Sequence, residues 1–176
     1  MNINSKCEDA MATVLREGFA RNSVGVVLAG DTDIAFTVDD DENLRCVPEP
    51  GCEFTVGIYV GETEEEIALP AIVVICQSAR EDMDARGNYS CDIEVQVQFN
   101  ADSSEQNPKV TDALKFIGDG VRSILGHSTL PSLMSDGADD FGCMGVEAKS
   151  TSREVDGRTR IQKHVVTVYV CGSTIQ

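Results

Sequence analysis

Positive charge is scarce in this 176-residue chain: 14 Lys and Arg stand against 30 Asp and Glu, a formal net charge of −16. Binding of nucleic acid begins with Lys and Arg displacing counterions, so a surface of this sign repels phosphate backbones and anionic lipids. Specific nucleic-acid binding and a membrane-surface role are therefore not expected. The excess is N-terminal, because residues 1–70 hold 15 acidic and 4 basic side chains. A basic partner, or divalent cations screening an assembly, suits that charge, and solubility alone is the plainer account.

Long apolar runs are also missing. The longest, Ile67 to Cys76, is far shorter than the roughly 20 residues of a membrane helix. Asn2, Asn4, Lys6, Glu8 and Asp9 interrupt any apolar leader, so a soluble protein made in a reducing cytoplasm is expected. Seven cysteines, with no CxxC pair among them, lie mostly in apolar stretches and read as small core residues.

Catalytic and metal-binding patterns are sparse. Only His127 and His164 are present, and neither sits in a zinc spacing or beside a nucleophile in a recognised motif. Asp39-x-Asp41-x-Asn43 begins like a calcium loop, but Leu44 stands where the sharp turn needs Gly and Pro50 where a bidentate Glu is required. Gly118-Asp119-Gly120 falls inside a helical pattern with no Lys-Ser/Thr after it, which does not support a phosphate cradle. No cofactor, metal or catalytic residue is expected.

The pattern that is present is that of an α+β domain. Ile3, Cys7, Ala10, Met11, Val14 and Leu15 recur at helical spacing over residues 3–19, with Asn2 or Asn4 as cap and Gly18 with Arg21-Asn22 as the stop. A second helix is predicted after the cap Asn107 and Pro108, running to Gly126 through Val110, Ala113, Leu114, Ile117, Val121, Ile124 and Leu125. Gly118 and Gly120 weaken its middle by about 1 kcal/mol each unless a neighbouring backbone packs closely there.

Cys91 to Phe99 alternates apolar and polar residues as a half-buried strand does, and Ala71 to Cys76 is an unbroken apolar run suited to a central strand. Residues Arg80 to Tyr89 read as the polar connection between them. Val24 to Leu28, Ile34 to Val38 and Phe54 to Val60 are shorter strand candidates, separated by the acidic runs Asp39–Glu42 and Glu62–Glu66. One domain spanning 1–176 is expected: an antiparallel sheet with two main helices packed on one face and long β-hairpins, and 24–66 as an acidic β-rich insertion.

The chain closes on a hairpin. A two-residue Asp156-Gly157 loop sets Arg153 opposite Arg160 and splits the apolar faces. A three-residue Val155-Asp156-Gly157 loop instead pairs Glu154 with Arg158, Val146 with Val166 and Met144 with Val168. The second register is expected, with His164 packed opposite Ala148.

Leu69-Pro70-Ala71-Ile72-Val73-Val74, the alternating strand Cys91 to Phe99, the helix after Asn107-Pro108 and the final Ser152-Arg153-Glu154-Val155-Asp156-Gly157-Arg158 hairpin together resemble tailed-bacteriophage tail terminator and tail-completion proteins. The resemblance covers residues 69–171. It implies a structural, non-enzymatic virion protein assembled in the host cytoplasm, forming a homo-oligomeric ring, usually a hexamer. Such a ring caps the tail tube and joins it to the head through the neck, with the tail tube protein and head–neck connector proteins as partners. DNA passes through such a ring without specific binding. Under this resemblance Arg153, Glu154, Asp156, Arg158 and Arg160 form a candidate interface. Asp39, Asp40, Asp41, Glu42, Glu64, Glu65 and Glu66 form a candidate acidic lumen or docking surface. Another neck, baseplate or tail-tube component is the alternative, and a small acidic ligand-binding module or enzyme a further one, favoured by a monomer with a deep pocket at His127 or His164.

Overall fold

The computed structural model describes residues 2–20, 29–30, 33–62, 66–100, 108–136 and 141–172. The strand expected at 24–28, the stop signal Arg21-Asn22, the cap Asn107 and the acidic residues Glu64 and Glu65 lie outside them.

Helix α1, Ile3–Phe19, starts where Asn2 Oδ1 accepts the Ser5 N–H at 2.9 Å, so Asn2 rather than Asn4 is the cap. Its apolar stripe buries Cys7, Ala10, Met11, Val14 and Leu15. Three strands follow: β1 (Ala35–Val38), β2 (Leu44–Val47) and β3 (Phe54–Val60). Strand β2 carries only Leu44 and Cys46 inward, too short an alternation to register as a strand in the sequence.

Strand β4, Ala71–Glu81, and β5, Asn88–Asn100, form the expected antiparallel hairpin, with β4 fourth in a seven-stranded sheet. Both outrun their apolar cores. Arg80 pairs with Ser90 and Glu81 with Tyr89, so the connection shrinks from the predicted Arg80–Tyr89 to residues 82–87. The cause is cross-strand polar bonding: Arg80 reaches Asp92 at 3.1 Å and Ser78 Oγ reaches it at 3.2 Å, which keeps a polar segment extended.

Helix α2, Pro108–Leu125, ends before Gly126, and a third helix, α3 (Leu130–Asp136), follows after a four-residue turn. Strands β6 (Phe141–Asp156) and β7 (Thr159–Gly172) complete the sheet in the order β1-β2-β3-β4-β5-β7-β6. All neighbours are antiparallel except β3 and β4, which run parallel because the chain crosses over between Gly61 and Pro70. The fold is α+β, with a mostly antiparallel sheet and three helices.

The hydrophobic cluster joins residues of all three helices to alternate sheet positions: Ile72, Val74 and Cys76, then Cys91, Ile93, Val95 and Val97, then Val166, Val168 and Val170. Each such side chain removed from water contributes about 1.5–3 kcal/mol before entropy is counted. Phe19, Phe36 and Phe116 pack together at centroid distances of 5.2–6.4 Å and tie α1, β1 and α2 together. Gly118 and Gly120 are buried, and what approaches them is side chain, not backbone: Gln162 beside Gly118, the Phe19 ring beside Gly120.

The closing hairpin differs from the expected register. Asp156 pairs with Thr159, so the loop is the two-residue Gly157-Arg158, with Gly157 at φ +59° in its first position. Gly at the first position is the mark of the tight turns whose twist matches paired strands. Glu154 therefore faces Ile161 instead of Arg158, three residues from its expected partner. Two irregularities, at Lys149 and Met144, each take up one residue, so Val146 faces Val168 instead of Val166 and Cys143 faces Val170. Met144 has no opposite partner, Ala148 faces Val166, and His164 faces Thr151 instead of Ala148. Turn chemistry sets the register at the tip, and the bulges reconcile it with the apolar pattern at the base.

Candidate functional site

The residues expected to act fall at opposite edges of one sheet. Strand β6 forms one edge and β1 the other. At the β6 edge, Arg153, Glu154, Asp156, Arg158 and Arg160 are all exposed at the hairpin end. Glu154 pairs with Lys163 at 3.0 Å, and this carboxylate raises the Lys163 pKa above its ordinary value. Behind the tip, Tyr169 and Lys149 both donate to Glu147 Oε2, at 3.0 and 3.2 Å, and lower its pKa.

At the other edge, Asp39–Asn43 turns the chain from β1 to β2. Asp39 Oδ1 accepts the backbone N–H groups of Asp41 and Asn43 at 3.0 and 2.9 Å, and Asn43 Oδ1 accepts that of Ile58 at 3.0 Å. Two of the three side chains that make this loop resemble a calcium site, Asp39 and Asn43, thus accept backbone N–H groups instead. Asp40, Asp41 and Glu42 point to solvent, with Glu42 at φ +62° and its carbonyl accepting from Arg16 Nε at 2.7 Å. Glu66 is also exposed but stands on a separate connection, the segment leading into β4.

His127 closes α2: its Nδ1 lies 2.8 Å from Thr129 Oγ1, a local turn contact at a helix end. His164 sits in a different setting. It is 3% exposed, between Val95 of β5 and Thr151 of β6. Its Nδ1 lies 3.2 Å from Thr151 Oγ1, while Nε2 is buried without a hydrogen-bond partner among the described residues. Burial, with the Arg122 guanidinium as a second cause, lowers its pKa from 6.5, so the ring is neutral at pH 7.

His164 lines a cleft of about 340 Å³ between the C-terminal turn of α2 and the bulged stretch of β6 and β7. Arg122, Lys149, Ser150 and Thr151 are its other polar residues, and no carboxylate lines it. That volume is at the low end of the roughly 300–1,000 Å³ of small-molecule sites. Hydroxyl and imidazole are adjacent, but no acid orients the ring as a nucleophile–base pair requires. Nothing local in the sequence marked this cleft: it exists because Lys149 is bulged out opposite the end of α2.

The cysteines remain structural in placement. Cys7, Cys46, Cys76 and Cys91 are buried, Cys52 and Cys143 half-buried, and Cys171 exposed. Among the described residues no three His, Cys, Asp or Glu side chains converge so as to hold a metal ion, and no helix is long and apolar enough to cross a membrane. No protein-family model matches the chain, and no curated protein sequence matches it.

Proposed function

We propose that this chain is a structural virion protein, the subunit of a tail terminator ring that caps the tail tube of a tailed phage and joins it to the head and neck. The observation that carries the reading is the closing hairpin. Strands β6 and β7, 16 and 14 residues long, place an exposed tip bearing both signs of charge at one edge of the sheet. A long edge strand is a template for pairing with another chain unless something blunts or covers it. An assembly subunit turns that property to use, and the charged tip supplies register and selectivity. The resemblance of residues 69–171 to tail terminator and tail-completion proteins supports the same reading, as does the sparse catalytic equipment of the described residues, whose cleft at His164 lacks an orienting acid.

In this reading the partners are further copies of the chain, the tail tube protein and the head–neck connector. The site of action is the virion, after assembly in the host cytoplasm. DNA passes through the ring without sequence-specific contact.

Negative-stain electron microscopy and native mass spectrometry of the purified chain, alone and mixed with isolated tail tubes, test the proposal. A closed ring with a central channel, seen free or seated on the tube end, is the expected result. Isolated globules in both preparations overturn it.

A further inference from the structure

The two edges of the sheet carry opposite charge. Residues 35–62, which contain β1 to β3, hold seven acidic side chains and one basic, whereas residues 141–172, which form β6 and β7, hold five basic and three acidic. The chain is therefore electrically polar across its sheet, from an acidic β1 edge to a basic β6 edge, despite its overall charge of −16. A subunit with complementary opposite edges associates head to tail, and such heterologous contacts generate rings where the rotation between neighbours closes.

The basic side also contains a receptor. Arg122 and Lys149 flank the 340 Å³ cleft, Ser150 and Thr151 add hydroxyls, and no acid is present to repel an incoming anion. Within it, His164 is 97% buried with Nε2 unpartnered. A buried polar atom without a partner is left without the hydrogen bond it makes in water, and an entering oxygen ligand relieves that penalty. The acidic edge presents a projection of matching chemistry: the β1–β2 turn, held rigid by the Asp39 carboxylate, with Asp40 and Asp41 exposed at its apex.

We infer that the Asp40-Asp41 turn of one copy docks into the Arg122–Lys149–His164 cleft of the next, so that the acidic residues act as an intersubunit contact and do not line the lumen. The inference rests on the ring reading and adds to it the two surfaces that meet. Carboxylate oxygens of the turn approach the Arg122 guanidinium and the hydroxyl groups at the cleft mouth. The neutral His164 ring supplies its N–H from within when Nδ1 accepts from Thr151. Lys149 exchanges its contact with Glu147 for one with the neighbouring copy.

A charge-swap experiment on the full chain tests this contact. One variant carries Arg122→Glu and Lys149→Glu, the other Asp40→Lys and Asp41→Lys. All four positions are exposed, and circular dichroism confirms that each variant is folded. Alone, each variant faces like charge with like charge, and self-association measured by analytical ultracentrifugation weakens by ~10²-fold or more. Mixed in equal amounts, the acidic cleft of the first meets the basic turn of the second and the basic cleft of the second meets the acidic turn of the first. Association then recovers in rings of alternating composition.

Wild-type rings that persist unchanged in both separate variants overturn the docking and leave the ring reading standing. Loss of association in both variants without recovery on mixing also overturns it. A wild-type chain that remains monomeric at every concentration and on tail tubes overturns both.

Discussion

Thr151 Oγ1 lies 3.2 Å from His164 Nδ1 across the β6–β7 pairing, while the opposite nitrogen of the same ring is buried without a partner. One side of the imidazole is thus fixed by the strand next to it and the other is held away from water. Burial, and the Arg122 guanidinium after it, keep the ring neutral in the folded chain. The folded pKa lies below 6.5 and the unfolded one near it. Between those values the unfolded chain holds a proton that the folded chain does not, so stability rises with pH across this window and falls on acidification. Chemical denaturation of wild type and His164→Gln at pH 7 and pH 5 should show a smaller loss on acidification in the variant. Parallel losses would place the acid sensitivity elsewhere, among carboxylates such as Asp92, whose pKa is lowered by the Thr167 hydroxyl first and by Ser78 and Arg80.

Gly157 begins the Gly157-Arg158 loop at φ +59°, and no atom lies within 4 Å of where a side chain at Gly157 would start. A substitution there meets only backbone strain, which for a left-handed φ costs roughly 1–2 kcal/mol in an L-residue. Gly157→Val should lower the unfolding free energy by about that amount. As a control, Val155→Thr at a neighbouring exposed strand position keeps a β-branched side chain and should be close to neutral. Equal losses in the two variants would refute the turn assignment.

Much of the fold was legible in the sequence where one physical signal acted alone. The stripe from Ile3 to Phe19 with Asn2 or Asn4 as cap, and the Pro108 start and Gly126 stop of the second helix, needed only helical periodicity and end chemistry, and the structure selects Asn2. The alternation from Cys91 to Phe99 similarly marked β5. Where signals conflicted, the pattern was insufficient. In the closing hairpin the apolar alternation and the turn favour registers three residues apart, and bulges at Lys149 and Met144 reconcile them. Gly145 stands beside the irregularity at Met144, but no Gly or Pro adjoins the one at Lys149. The cleft at His164 depends on one of those bulges, so no local pattern in the sequence joins Arg122 and Thr151 to His164. Strand β2 and helix α3, 4 and 7 residues long, are too short for periodicity to register.

The cysteines should separate sharply by reactivity. Burial pushes the Cys46 thiol up to about 12, and the neighbouring Cys7 thiol with burial does the same for Cys91. Cys76 is raised further, first by its hydrogen bond with Cys91. Since the thiolate is the reactive form, these three should resist alkylation in the native chain and react only on unfolding. Cys171 is exposed on β7 and should label at once. Mass spectrometry after timed iodoacetamide treatment reads each site, and native labelling of Cys46, Cys76 or Cys91 at the Cys171 rate would contradict their placement in the core.

Gly118 and Gly120 offer the sharpest contrast, because they lie two residues apart in one helix and share the same intrinsic preference. Replacing either with Ala gains up to about 1 kcal/mol of helix propensity. A Cβ at Gly118 meets the end of the Gln162 side chain, which can rotate away. At Gly120 it meets Phe19 Cε1 at 2.6 Å and Cζ at 2.9 Å, with Ala29 Cβ at 3.1 Å. Phe19 is 2% exposed and packed against Phe36, tilted, and Phe116, edge-on, so it cannot yield without disturbing the aromatic cluster that joins α1, β1 and α2. Overpacking of such a site costs about 1–3 kcal/mol, which outweighs the propensity gain. Gly118→Ala should therefore be neutral or stabilising and Gly120→Ala destabilising, as measured by urea unfolding. Combining Gly120→Ala with Phe19→Leu supplies the decisive check. If the clash is with the ring, the double variant loses less stability than the two single losses added together, and simple additivity would mean that Gly120 is required for some reason other than the approach of Phe19.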